Sequence, residues 1–151
     1  MAAGAGDYAD CVGIHYNAGA TSPYALHGHP AGDFYGWYFP NVLQAYFRAF
    51  SGDKPLCITE IGYLTDGDLE IQGYEMPDNF WWAENTTVDQ HAQWLADAAV
   101  YAKDSGVVRM FVVFNADIYH WDGRDPQTGY AMFRPRGNCP ACEAFAQVNL
   151  R

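Results

Sequence analysis

Apolar residues along the chain fall into two alternating patterns. Three short runs are almost continuously apolar: Asp10-Cys11-Val12-Gly13-Ile14-His15-Tyr16, Pro55-Leu56-Cys57-Ile58-Thr59-Glu60-Ile61-Gly62 and Val107-Val108-Arg109-Met110-Phe111-Val112-Val113-Phe114-Asn115. Runs of that length between turn-prone residues predict buried strands. Between them, Val42, Leu43, Tyr46, Phe47 and Phe50 recur at helical spacing and predict a helix over 37–50. Pro40 falls in its first turn, where the missing N–H costs nothing, and Ser51-Gly52-Asp53 ends it. Thr87-Val88-Asp89-Gln90 has the form of a capping box and opens a second helix that runs to Ser105 and stops at Gly106. Residues 142–148 predict a last short helix.

The resulting order is βαβαβα, with no hairpin signal between successive strands. Strands of this kind alternating with helices predict an α/β fold with a parallel sheet covered on both faces. No repeat, low-complexity tract or linker divides the chain, so residues 1–151 read as one domain. Two long loops are expected, a Gly/Pro/His-rich stretch over 17–36 and a segment over 63–86. The second is long enough to act as a mobile lid, carrying Tyr74, Phe80, Trp81 and Trp82 toward a ligand.

Charge narrows the partners. The 18 Asp plus Glu against 8 Lys plus Arg give a net charge of −10. A phosphate backbone or an anionic membrane surface needs clustered positive charge, so neither nucleic acid nor membrane is expected as a partner. No stretch has the apolar length of a membrane span, and the start of the chain lacks the basic and apolar regions of a signal peptide. The chain therefore reads as soluble, with its compartment undetermined. Aromatic residues make up 17% of it, which suits either an aromatic-rich core or a sugar-binding cleft.

Metal is not expected. Cys139 and Cys142 have CxxC spacing without the second pair or the histidines that a zinc site needs, so a local disulfide or free thiols are the reading. Cys11 and Cys57 fall in separate strands. His27 and His29 lack a third ligand and read as part of a solvated loop. Asn85-Thr86-Thr87 spells a glycosylation sequon, but Thr87 is already assigned as a helix cap.

The residues with chemistry gather at one end. In parallel α/β folds, active sites form at the carboxyl ends of the strands. His15 closes the first strand, Glu60 the second, and Asn115 with Asp117 the third.

With those positions in view, Thr59-Glu60-Ile61-Gly62-Tyr63 resembles the end of strand seven in clan A glycoside hydrolases. Asp10 to His15 is similar to their strand six, and Val112 to Asn115 to their strand eight. The resemblance implies the last three βα units of a (β/α)8 barrel, whose complete form takes roughly 250 residues against 151 here. It implies Glu60 as the nucleophile of a retaining glycosidase and His15 as a residue of the sugar site. Asn17, Tyr16, Phe114, Asn115, Tyr63, Trp81 and Trp82 would line the substrate cleft. Two departures concern those residues: Asn17 stands where many members carry a Tyr that bonds the nucleophile, and Phe114 replaces a stacking Trp. A third is that the strand-four acid has no counterpart.

A retaining mechanism needs two carboxyls about 5–5.5 Å apart. Asp117 is the expected second one, because neighbouring strands lie about 4.8 Å apart. Asp66, Asp68, Glu70 and Glu75 are further candidates. The function expected is a glycoside-hydrolase-like protein, without cofactor, acting on carbohydrate or another small molecule. The alternatives are a non-catalytic carbohydrate-binding or assembly module, and an ester hydrolase using the same cleft. Ser22, Ser51 and Ser105 all lie outside any GxSxG elbow, which weakens the last. Three strands cannot close a barrel. Open edges, and an open apolar face expected to include Ile14, Ile58, Val112 and Phe114, predict a homo-oligomer or pairing with a missing barrel half.

Overall fold

The computed structural model of the chain describes residues 4–68 and 73–148. Three strands, β1 (Val12–Gly19), β2 (Leu56–Tyr63) and β3 (Val108–Val113), form one sheet in the order β1-β2-β3, and both pairings are parallel. Helix α1 (Phe39–Ala49) joins β1 to β2, α2 (Val88–Asp104) joins β2 to β3, and α3 (Pro140–Gln147) packs against α2. The architecture is α/β, built from three successive strand–helix units.

Local chemistry explains the helix ends. Pro40 sits in the first turn of α1. The Thr87 hydroxyl accepts from the Gln90 N–H at 3.1 Å, while the Thr87 N–H donates to Gln90 Oε1 at 2.9 Å. That reciprocal pair satisfies two of the amide groups a helix start leaves without partners. Gly106 ends α2 with φ at 68°, a conformation open to glycine at little cost.

Coverage of both faces is not what forms. Strand order that never reverses, with right-handed crossovers, puts successive helices on the same side. Val12, Ile14 and Tyr16 from β1 meet Leu56, Ile58, Ile61 and Tyr63 from β2 in one core with Phe39, Val42 and Leu43 of α1 and Leu95 of α2. Ile14 and Ile58 therefore face the helices, not the open side. The other face carries Gly13, His15, Thr59, Glu60, Met110 and Val112, all at least partly exposed.

A bulge in β2 sets which residues reach that open face. From the Ile14↔Ile58 pair to the His15↔Glu60 pair, β1 advances one residue and β2 advances two. Against β3, three steps from Ile58 to Ile61 match two from Phe111 to Val113. An extra residue in one strand breaks the period-two alternation. Ile58 and Ile61, three apart, both bury under the helices at 0% exposure, while Thr59 and Glu60 turn to the open side. In an unbulged strand Glu60 would share the face of Ile58 and enter the apolar core.

All four cysteines are paired. Cys11–Cys57 staples the starts of β1 and β2 across 46 residues, a long-range link, and Cys139–Cys142 closes the first turn of α3. Among the described residues no helix is long and apolar enough to cross a membrane.

Candidate active site

Glu60 stands at the carboxyl-terminal end of the central strand, on the bulge, with its side chain 35% exposed. Two groups on the neighbouring strand converge on one of its oxygens. The Asn17 amide donates from Nδ2 to Glu60 Oε2 at 3.0 Å, and His15 Nδ1 lies 3.4 Å from the same oxygen. His15 and Asn17 are two apart on β1, so the alternation of the strand puts both on the open face. Glu60 Oε1 has no protein partner among the described residues. One carboxylate oxygen is thus pinned and the other is left available.

The floor beside Glu60 is Gly62. A Cβ there would lie 2.6 Å from the Phe114 carbonyl oxygen and 2.6 Å from the Tyr130 ring, so no larger residue fits. The Asn17 Oδ1 atom nests against the same spot, buried and without a hydrogen-bond partner. Tyr130 anchors the wall: its hydroxyl donates to the Asn17 carbonyl at 2.8 Å, and its ring meets Phe114 edge-on at 5.8 Å. Burial pushes the Tyr130 hydroxyl well above its ordinary pKa, so it remains a donor.

The structure brings together His15, Asn17 and Glu60 from the expected set, and gathers Phe114 and Trp82 into one apolar cluster with Tyr130. Tyr16 and Tyr63 lie on the helix side, where Tyr16 donates to the Trp37 carbonyl at 2.7 Å and Tyr63 packs on Trp94. The alternation that brings His15 and Asn17 up sends Tyr16 down, and the odd spacing from Glu60 does the same to Tyr63. Asn115 is buried in loop architecture, donating to the Gln127 carbonyl at 3.0 Å and accepting from the Ile118 N–H at 2.9 Å. Asp117 is exposed beyond β3, with no hydrogen bond or ion pair to Glu60 among the described residues.

Parts of the loop after β2 are packed: Leu64, Thr65, Asp66, Pro77, Trp82, Ala83 and Thr86 are buried. Trp82 is buried against His29 and Phe80, whereas Trp81 stays exposed. Tyr74 meets the Trp121 ring, and Trp121 Nε1 donates to the Glu75 carbonyl at 3.1 Å. Asp68 is committed elsewhere: its carboxylate accepts from both Nε and a terminal nitrogen of Arg134, whose Nη1 also donates to the Thr128, Gly129 and Ala131 carbonyls. Burial alone would raise the Asp68 pKa, but the Arg134 bonds and charge outweigh it and hold the carboxyl below its usual value. Asp66 is buried, Glu75 is exposed, and Glu70 lies outside the described residues.

His27 is exposed, but His29 is not the solvated residue expected. It is buried, donates from Nε2 to the Ala18 carbonyl at 2.9 Å and accepts the Ala31 N–H on Nδ1 at 3.0 Å. Burial lowers its pKa, and both ring nitrogens are occupied as in the neutral form. Among the described residues no group of three or more His, Cys, Asp or Glu is arranged to hold a metal ion.

Sequence reasoning missed three residues that shape this region. Tyr130 and Arg134 lie in a stretch read only as a polar loop, and His91 was read only as a helix residue. A lone Tyr or Arg in such a loop carries no periodic signal. The chemistry available is that of one oriented carboxylate with a histidine and an amide beside it. No family model, curated protein or solved structure matches the chain.

Proposed function

We propose that the chain is a carbohydrate-active, glycoside-hydrolase-like unit in which Glu60 is the nucleophile of a retaining cleft. The observation that carries this reading is the asymmetry of its carboxylate. Asn17 donates to one oxygen with His15 Nδ1 3.4 Å from it, and the second has no protein partner among the described residues. A nucleophile needs that arrangement, because one oxygen must be fixed in direction while the other bonds to the sugar carbon. Phe114, partly exposed and backed by the buried Tyr130 ring, supplies an apolar wall against which a sugar ring can lie. The resemblance of Thr59-Glu60-Ile61-Gly62-Tyr63 to the strand-seven ending of clan A glycoside hydrolases supports the same assignment.

The second carboxyl of a retaining pair then comes from outside this group of residues. An open sheet with unpaired edges at β1 and β3 is suited to completion by further strands, from another copy or from a complementary barrel half. A second reading, a sugar-binding module without turnover, is favoured by one observation: the polar neighbours of Glu60 are an amide and an imidazole, and neither is a carboxylic acid.

A test that does not need the acid separates the two. Dinitrophenyl 2-deoxy-2-fluoroglycosides carry a leaving group that departs without protonation and trap a glycosyl–carboxylate ester. Intact mass should rise by one glycosyl unit, with peptide mapping placing it on Glu60, and Glu60→Gln should stay unlabelled. Sugar binding without an adduct would favour the module. An adduct on another carboxylate would remove Glu60 from the role.

A further inference from the structure

The loop between β1 and α1 holds a feature that the Glu60 site does not use. Phe34 and Tyr35 are 57% and 52% exposed, although folding normally hides rings of that size where it can. They are not loose. Their centroids lie 4.6 Å apart, and Phe34 meets Trp37 edge-on at 5.6 Å. Trp37 stacks on His29 at 5.1 Å, and His29 meets Trp82 at 5.7 Å in the buried interior of the loops. His29 is itself tied to the Ala18 carbonyl, one residue beyond Asn17 of the site. A ladder of rings with a buried foot therefore holds an exposed pair in place.

Beside the pair stands an exposed acceptor. Asp33 is exposed, with Oδ1 3.4 Å from the Tyr38 hydroxyl, whose proton goes to the Gly32 carbonyl at 2.9 Å. Two flat apolar faces next to an exposed carboxylate match a pyranose ring, which offers a C–H face for stacking and hydroxyls around its rim. The net charge of −10 disfavours polyanionic chains, nucleic acid and anionic lipid alike.

We infer that Phe34, Tyr35 and Asp33 form a docking platform for a neutral polysaccharide or oligosaccharide chain, on the same rim of the sheet as Glu60. The inference rests on the carbohydrate reading above and adds its substrate class: a polymer, held away from the reacting unit, in place of a lone monosaccharide. Rings fixed before binding lose little freedom when the chain docks, so a shallow platform can contribute useful affinity.

The test is affinity electrophoresis through gels containing soluble neutral polysaccharides, namely mixed-linkage β-glucan, arabinoxylan, galactomannan or starch. At least one should retard the wild-type chain. Phe34→Ala with Tyr35→Ala should weaken that retardation about tenfold or more, two stacking contacts being lost. Phe34→Leu keeps apolar bulk over Trp37 for folding but removes the flat face, and it should also weaken retardation. Labelling of Glu60 by the fluoroglycoside should be unchanged in all of them. Retardation by none of the four polysaccharides, or equal retardation of wild type and variants, would overturn the platform even if Glu60 is labelled. Retardation lost in the variants with no adduct on Glu60 would keep the platform and remove the nucleophile. A change in sedimentation of Phe34→Leu, with sugar retardation intact, would make the pair a protein contact and overturn the inference.

Discussion

The two faces of the three-stranded sheet come from the same strands and differ in almost everything else. Toward the helices, Ile14, Leu56, Ile58, Ile61 and Tyr63 are sealed with Leu95 and the alanines of α2. Toward the open side, Gly13, His15, Asn17, Thr59, Glu60 and Gly62 are small or polar, and only Met110 and Val112 are exposed apolar residues. The helix face therefore carries the packing energy and the open face carries the polar groups at the strand ends. The bulge at Thr59–Glu60 lets one strand serve both, since it passes two consecutive side chains to the open side without exposing Ile58 or Ile61.

If that division is right, substitutions on the two faces separate activity from stability. The largest effect on activity belongs to Glu60. Glu60→Gln should lower turnover of an activated glycoside by orders of magnitude and leave the melting temperature nearly unchanged. Retention of more than about a tenth of the rate would end its assignment as nucleophile. A large loss of stability would show that the open face is structural after all.

The largest effect on stability belongs to the staple between β1 and β2. Cys11–Cys57 closes a loop of 46 residues of separation, and constraining the unfolded chain over that length contributes about 4 kcal/mol in the chain-entropy picture. Cys11→Ser with Cys57→Ser should lower the unfolding free energy by about that amount in a denaturant titration, with the Cys139–Cys142 pair intact. A loss below about 1 kcal/mol would mean that the helix face holds the strands together unaided.

Much of this was legible in the sequence. The three strands and three helices appear within a few residues of the expected bounds, and the capping box at Thr87 and the stop at Gly106 form as read. What escaped depends on facing. A nearly continuous apolar strand does not say which side meets the helices, so Ile14 and Ile58 were assigned to the wrong one. Tyr63 was expected in the cleft because it closes the motif that carries Glu60, but it stands three positions further along the strand, and that odd spacing sends it to the opposite face. The partners of Asn17 and Tyr130 are 43 and 113 residues away, and local spacing cannot pair them.

The helix side also has a pH limit. His91 on α2 is buried with Nδ1 on the Tyr63 carbonyl and Nε2 without a partner. Burial lowers its pKa from 6.5 to about 4, and the nearby Arg134 charge works in the same direction. Between those values the unfolded chain binds more protons than the folded one, so stability falls as pH drops from about 6.5 toward 4. The full loss is about 3 kcal/mol. Denaturant titrations at pH 7 and pH 4.5 should show most of it, and His91→Gln, which does not ionise, should flatten the difference. An unchanged pH dependence in that variant would move the acid sensitivity to another group.

The smallest effect is expected on the open face, and its smallness is what makes it informative. Val112 is 43% exposed on β3, the edge strand, with only Met110 and Arg109 as exposed companions on that strand. Val112→Thr keeps the branched shape that suits a strand and replaces one methyl by a hydroxyl. On a face open to water the hydroxyl remains solvated, so the unfolding free energy should change by no more than about 0.5 kcal/mol. On a face covered by a second copy or by further strands, the same hydroxyl would be buried without a partner, at about 1–3 kcal/mol. Covering by a second copy carries its own signature, because the cost would then grow with protein concentration while that of an open face would not. Titrations of the variant at two concentrations, tenfold apart, measure both quantities. A cost above 1 kcal/mol that rises with concentration would show that the two faces are alike in being covered, and that the open side of the sheet belongs to an interface.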